Sequence, residues 1–459
     1  MPSGALWRIL LLALLARALP PLLALLAGQG PEAFHAGDTP TYLGTAGELA
    51  HAARFVSGDH PEILRTPGYP LLLVPGVLLG QPEAAAVLLQ IALACATVYF
   101  VYLVALAASG TPRAAAFAAL LAALEPLSII YASKVLTETL FAFLVVLCLY
   151  LMARYLDGGA GRWLLATAAA AAAAAYVRPI AYFLPAALVL PLLGRALGAG
   201  PARRARLGHA AAFVIVAGGL LGVWQVRNLV VAGYGGFSAV GDFNLYYFQG
   251  ASVLAAEHGM PFTAMQEGLG YRDEEVYLAA HPEQRAWDQG RRYRAMGAEG
   301  MAILLDRPLT YAAIHLRGVV RVLLDPEAIE FLRLLGHYPV SGGLLGRVVD
   351  GGVGAGLRQL RAAHPAAFWG SLGAGVWLLA YLLLAAAALR SAPLRRSPLA
   401  PLLILTALYL LLLAGGPQAL GRFRHPIMPI VCVLGGIGAA TCSRRTPPRP
   451  ETPAGCRGE

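Results

Sequence analysis

Residues 33–73 read AFHAGDTPTYLGTAGELAHAARFVSGDHPEILRTPGYPLLL. This is the first polar interval of a very apolar chain. It opens with Asp38 just past one hydrophobic run and closes with Arg65 just before the next. An acid and a base are thus both held where a membrane edge should lie. Over 41–56, Tyr42, Ala46, Leu49, Ala53 and Val56 share one helical stripe while Glu48, His51 and Arg54 lie off it. That pattern predicts an amphipathic helix on the bilayer surface. Thr39 before Pro40 predicts its N-cap and first helical position, and Asp38 would complement the positive end of its dipole. Residues 68–80 are too short to cross a bilayer and are broken by Pro70 and Pro75. They predict a re-entrant or interfacial piece that brings Arg65 and Tyr69 to the lipid headgroups.

The interval stands out because of what surrounds it. Of 459 residues, 58% are hydrophobic and only 13% charged, and the mean hydropathy is +0.63, which excludes a soluble globular domain and predicts an all-α polytopic membrane protein. The net charge of +10 first means basic cytoplasmic loops rather than nucleic acid, for which no motif is present. Cys95, Cys148, Cys432, Cys442 and Cys456 lie in expected spans or in the C-terminal tail, so neither a disulfide framework nor a cysteine zinc site is expected. The run 6–27 reads as an uncleaved anchor that Pro20 and Pro21 only kink.

Further spans are expected at 83–108, 114–130, 136–156, 163–176, 180–197, 210–231, 367–389, 399–414 and 427–441, about ten with the anchor. With the N-terminus inside, Arg113, Arg154, Arg162, Arg195, Arg203, Arg204 and Arg206 fall in cytoplasmic turns. So do Arg390, Arg395, Arg396, Arg444, Arg445 and Arg449, which puts both termini in the cytoplasm and the 33–73 interval outside. The organisation expected is a transmembrane module 1–232 with its first external loop 28–82, an external region 233–366, C-terminal spans 367–441 and a disordered tail 442–459. Within 233–366, residues 295–305 and 308–324 carry helical periodicity and predict interfacial helices, and 336–356 is a glycine-rich loop without phosphate-cradle spacing. The alanine run 168–175 predicts close helix packing.

Arg65, Lys134, Arg178, Arg227, Arg422 and Arg424 break the positive-inside pattern by falling at external span ends. Snorkelling accounts for Lys134 and Arg178. Glu138, just inside a span, calls for a partner such as Lys134 one turn back. No histidine shows HExxH or paired ligand spacing and no GxGxxG or GxxxxGKS occurs. No metal site, nucleotide-sugar site or cofactor is predicted, and a divalent metal stays open.

DTPTY, RTPGYP, LTETLF, WQVRN and GRFRHP, in that order and on one expected side of the membrane, resemble the GT-C class of polytopic glycosyltransferases. That class includes the bacterial relatives of protein mannosyltransferases and of lipid A aminoarabinose transferases. The resemblance covers roughly 5–227 and the final span. It implies an inverting transfer of a sugar from a polyprenyl-phosphate carrier to a glycan, lipid or protein acceptor at the external face of the plasma membrane. Asp38 matches the acidic residue expected as catalytic base. Arg65, Arg227, Arg422 and Arg424 would hold the departing phosphate, for which arginine supplies a bidentate fork. Tyr42, Tyr69, Glu138 and Asn228 would line the pocket. Asp38 is followed by Thr39, so the Asp-Glu pair of the protein mannosyltransferases proper is missing. The competing readings are a transporter or lipid-linked glycan flippase, which would show midplane charges and paired halves, and an O-antigen type ligase or polymerase. Neither the sugar nor the oligomeric state follows from the sequence.

Overall fold

The computed structural model describes residues 4–198, 200–337, 358 and 361–443. Among these residues the regular structure is helical apart from a short hairpin, Val56–Ser57 with His60–Pro61. Among the described residues, seven helical segments are long and apolar enough to cross a membrane: Gly4–Leu26, Pro82–Ser109, Glu138–Gly158, Pro179–Leu197, Arg203–Ala232, Pro365–Ala388 and Gly421–Cys442. The chain is an all-α polytopic membrane protein. Three expected spans are represented by shorter helices, Pro112–Ala123, Gly161–Val177 and Ala400–Leu413.

The last helix, Met428–Cys442, is buried along most of its length. It packs against Pro112–Ala123 and Pro365–Ala388. A Cβ at Gly436 would collide with the backbone of Ala118, and one at Gly438 with the carbonyl of Leu384. Small residues on both sides let the backbones approach closely, as in other membrane bundles. Ala114, Ala115, Ala118 and Ala119 give the facing helix its flat side. The alanine run works the same way: Ala168, Ala171, Ala174 and Ala175 are fully buried, in a helix packed on Glu138–Gly158 and Arg203–Ala232.

The span expected at 114–130 is broken. Pro112–Ala123 ends, Glu125 accepts from the backbone N–H groups of Leu127 (3.1 Å) and Ser128 (2.6 Å), and a new helix runs Pro126–Tyr131. Pro126 lacks the N–H that a continuous helix would need, and Glu125 supplies the new N-cap. Arg17 of the first helix is fully buried beside the break. Its guanidinium donates to the carbonyls of Ala123 (3.0 Å) and Ala122 (2.8 Å) and to Ser128 Oγ (2.7 Å).

The 33–73 interval folds as a short turn at Pro31–Phe34, a helix Thr39–Ala52, the hairpin and a helix Gly68–Leu78. The surface helix is shorter than the expected 41–56. Ala53 takes the left-handed conformation at φ 52° and ends it, and Val56 lies in the hairpin. A Cβ at Gly68 would stand 2.7 Å from the carbonyl oxygen of Tyr176, so glycine lets the 68–78 helix seat against the end of the alanine helix. In the 233–366 region the expected helices are present as Gln289–Asp306 and Pro308–Leu324. They are preceded by shorter ones around a cluster of Tyr246, Tyr247 and Tyr277. Of the expected glycine-rich loop 336–356, residues 338–356 lie outside the described residues, and so do residues 444–459 of the expected tail 442–459.

Candidate active site

Asp38 occupies the N-cap position of the Thr39–Ala52 helix, yet its side chain makes no capping hydrogen bond. The expected cap, Thr39, is the first helical residue, and its hydroxyl accepts from Ala36 N (2.9 Å) and donates to Val135 O (2.8 Å). That leaves the Asp38 carboxylate free of backbone duty. Arg65 Nη2 donates to Oδ1 at 2.8 Å and Arg422 Nη2 to Oδ2 at 2.8 Å. Burial opposes the carboxylate's charge, but Arg422 and then Arg65 outweigh it and hold Asp38 down at about 2.

Each arginine is aimed by its local fold. The 62–65 turn is closed by Glu62 Oε1, which accepts from Leu64 N (2.6 Å) and Arg65 N (2.8 Å). The Arg65 guanidinium lies over the Tyr42 ring, 5.6 Å from its centroid, and Tyr42 meets Tyr69 edge-on at 5.2 Å. Tyr69 does not reach the headgroups. It is fully buried and donates to Gln90 Oε1 at 2.8 Å, because its ring lies on the face that the 68–78 helix packs against its neighbours. Arg422 enters from the far end of the chain, on the 3-10 turn Gly421–Ile427.

The charges continue inward. Arg422 Nε stands 3.9 Å from Glu138 Oε1, and the same oxygen lies 2.8 Å from Arg178 Nη1. This second contact is an ion pair rather than an aligned hydrogen bond, since Arg178 Nη1 and Arg422 Nε both lack a hydrogen-bond partner. Phe423 lies under both guanidiniums, 5.6 Å from Arg178 and 5.2 Å from Arg422. Arg65, Asp38, Arg422, Glu138 and Arg178 therefore alternate in sign, three cations against two anions.

Glu138 pairs with Arg178, not with Lys134. The expected one-turn spacing fails because the helix starts at Glu138 and Lys134 lies in the preceding turn. Lys134 is buried, donates to Ala33 O (3.0 Å) and His35 O (3.4 Å), and pairs with Glu330 at 3.7 Å. Neither Lys134 nor Arg178 snorkels.

Three expected site residues are engaged elsewhere. Arg424 is buried and donates to the carbonyls of Val322 (2.7 Å), Leu323 (3.2 Å) and Asp325 (2.8 Å), closing the C-terminus of Pro308–Leu324. Arg227 donates to Glu62 O (2.7 Å) and Phe55 O (2.8 Å) and lies over Trp224. Asn228 donates to Gly236 O (3.1 Å) and Phe237 O (3.0 Å). Arg227 thus braces the loop that carries Arg65, and Asn228 the loop after its own helix.

Glu327 was not singled out in the sequence. It adopts φ 52° beside the Arg422 turn, accepts from Tyr131 Oη at 3.4 Å, and is pushed up to about 7 by burial, Asp325 and Glu330. The left-handed backbone is a strained setting for a non-glycine residue. No local pattern announces it. Among the described residues no group of three or more His, Cys, Asp or Glu is placed to hold a metal ion.

Residues 59–224 match the family model of dolichyl-phosphate-mannose-protein mannosyltransferase. That stretch includes Arg65, Glu138 and Arg178 but neither Asp38 nor Arg422. The structure is similar to the oligosaccharyltransferase of Archaeoglobus fulgidus solved with Zn and sulfate, at TM-score 0.53 and 12% identity over 96% of this chain and 49% of that one. It is equally similar, at TM-score 0.53 and 13% identity over 96% of this chain and 50% of that one, to the same organism's AglB in complex with an inhibitory peptide and a dolichol-phosphate. The chain thus spans about half the length of these structures. ArnT from Cupriavidus metallidurans bound to undecaprenyl phosphate aligns over 94% of this chain and 78% of that one at 16% identity, with a TM-score of 0.38 that adds nothing to the fold argument. No curated protein matches. The family match and the shared fold bear out the resemblance to polytopic GT-C glycosyltransferases.

Proposed function

We propose that the chain is an inverting glycosyltransferase that moves a sugar from a polyprenyl-phosphate carrier to a glycan, lipid or protein acceptor at the external face of the membrane. The observation that carries this reading is the Asp38 carboxylate held between Arg65 and Arg422 in a cluster with one cation in excess. A phosphate is already a competent leaving group, so one carboxylate to take the acceptor proton and fixed cations to balance the departing charge suffice. Asp38 is that base. Arg65 and Arg422 are the phosphate ligands, and Arg178 with Glu138 holds Arg422 from behind. Arg227 and Arg424 contribute by fixing the backbone on either side, Tyr42 and Tyr69 by seating Arg65. We read 1–232, including the 28–82 interval, as the catalytic module and 233–366 as the region that closes over it. The external placement is supported by the arginines of the opposite loops.

The experiment is sugar transfer from a polyprenyl-phosphate donor by membranes carrying parent or Asp38→Asn protein at matched abundance. Loss of a general base should cost on the order of 10²–10⁴ in rate. Near-parental transfer by Asp38→Asn would remove Asp38 as base.

A further inference from the structure

We propose that Arg65 and Arg422 form one anion site that takes a single anion at a time, the Asp38 carboxylate at rest and the phosphate of the lipid carrier during turnover. Arrival of the donor frees the base, and after transfer Asp38 passes the acceptor's proton to water and, again a carboxylate, takes the arginines back as the spent carrier leaves. The proposal rests on the transferase reading above and adds an order of events to it.

The pairing is built to be exchanged. Each Asp38 oxygen accepts from one Nη2, at 2.8 Å in both cases, and no other side-chain oxygen hydrogen-bonds either guanidinium among the described residues. Neither backbone depends on the pairing. Arg65 is set by the Glu62 turn. Arg422 is set by a 3-10 turn that Arg424 pins to the 322–325 carbonyls. The guanidiniums can therefore re-aim while the chain stays put. The three side chains are also within reach of solvent: Arg65 is 31%, Asp38 26% and Arg422 17% exposed.

The phosphodiester of the donor brings one negative charge and two free oxygens to the same fork, the match of a carboxylate, the monoester left after transfer brings more of both, and arginine binds either bidentately. Glu138, paired with Arg178 and 3.9 Å from Arg422 Nε, keeps a counter-charge behind Arg422 while its Nη2 changes partner. The resting state also makes Asp38 a poor base, since both its oxygens are occupied by cations. Transfer of those cations to the phosphate, with a second anion now beside it, restores its proton affinity. The base is then active only when there is a donor to use, which protects against idle chemistry.

The test is binding to full-length protein in nanodiscs, with polyprenyl phosphate, inorganic phosphate and phosphate-free polyprenol as separate probes. Asp38→Asn is expected to bind polyprenyl phosphate on the order of 10- to 100-fold more tightly than the parent, the worth of one charge-assisted contact no longer competed for. Inorganic phosphate should move in the same direction and polyprenol not at all. Asp38→Ser, a smaller uncharged replacement, should give the same gain, and Arg422→Gln should abolish it. Equal or weaker binding of polyprenyl phosphate by both Asp38 variants overturns the exchange, as does an equal gain for polyprenol, which the tail alone would explain. A parent that binds no polyprenyl phosphate at all overturns instead the transferase reading beneath it.

Discussion

The helix break and the candidate active site each set an arginine near an acid, and they use the charge in opposite ways. At the helix break, Arg17 is spent on the carbonyls of Ala122 and Ala123 and on Ser128 Oγ, while Glu125 is spent on two backbone N–H groups. At the candidate active site, Asp38, Arg65 and Arg422 are spent on one another. Helix ends leave backbone groups that must find partners, and a membrane interior offers no water to provide them. Charges committed to backbone therefore hold the fold. Charges committed only to each other can be claimed by a ligand.

The sharpest way to break that contrast is Arg17→Leu. It strands the carbonyls of Ala122 and Ala123 in the bilayer interior and removes one of the two arginines, with Arg424, whose charge favours the Glu125 carboxylate. The expected loss is about 3–5 kcal/mol, the range for breaking a buried charged network. Folded protein recovered from membranes, measured by size-exclusion chromatography in detergent, should collapse. Folded protein at the parental level, inactive only in transfer, would place Arg17 with the functional charges instead.

The two places also differ in how legible they were in the sequence. Hydropathy marked the apolar helices, because length and apolarity are local properties, though seven helical segments among the described residues, against about ten expected spans, are long enough to cross. The run 114–130 hid its break, since one Glu and one Pro scarcely interrupt its hydropathy and the arginine that compensates lies about a hundred residues away. The candidate site was half visible. Arg65 and Arg422 could be named from their positions at span ends and Asp38 from the resemblance, but the pairing of residues 38 and 422 is a tertiary fact. Arg178 was misread for the same reason, its partner lying 40 positions earlier. Arg422 and Arg424 looked alike in GRFRHP. On a 3-10 turn with three residues per turn, residues two apart point in different directions, so one reaches Asp38 and the other a helix end.

That divergence gives a second test of about half the size. Arg424→Gln removes the cation from three carbonyls at the end of Pro308–Leu324 and should cost about 2–3 kcal/mol of stability, the scale of lost hydrogen bonds to a charged group. Arg422→Gln should cost less stability and far more donor affinity. Thermal unfolding followed by tryptophan fluorescence, with donor binding on the same samples, separates them. Equal donor defects at equal stability would erase the distinction between the two arginines.

The smallest effect sharpens the comparison at Asp38 itself. Its carboxyl is held at about 2 against an ordinary 3.8, so the ion pairs stabilise the fold at neutral pH by about 2 kcal/mol. The folded value is the depressed one, so the contribution is present in full above about pH 4 and is lost as pH falls towards 2. Asp38→Asn lacks it at every pH. The parent should therefore unfold at higher temperature than Asp38→Asn at pH 7, and the gap should close on acidification below pH 4 while other carboxylates titrate alike in both. At pH 7 a saturating polyprenyl phosphate should also close it, by giving the two arginines a replacement anion in the variant and taking them from Asp38 in the parent. A gap that stays constant from pH 7 to pH 3 would mean that the stability difference comes from packing at position 38 and not from its charge.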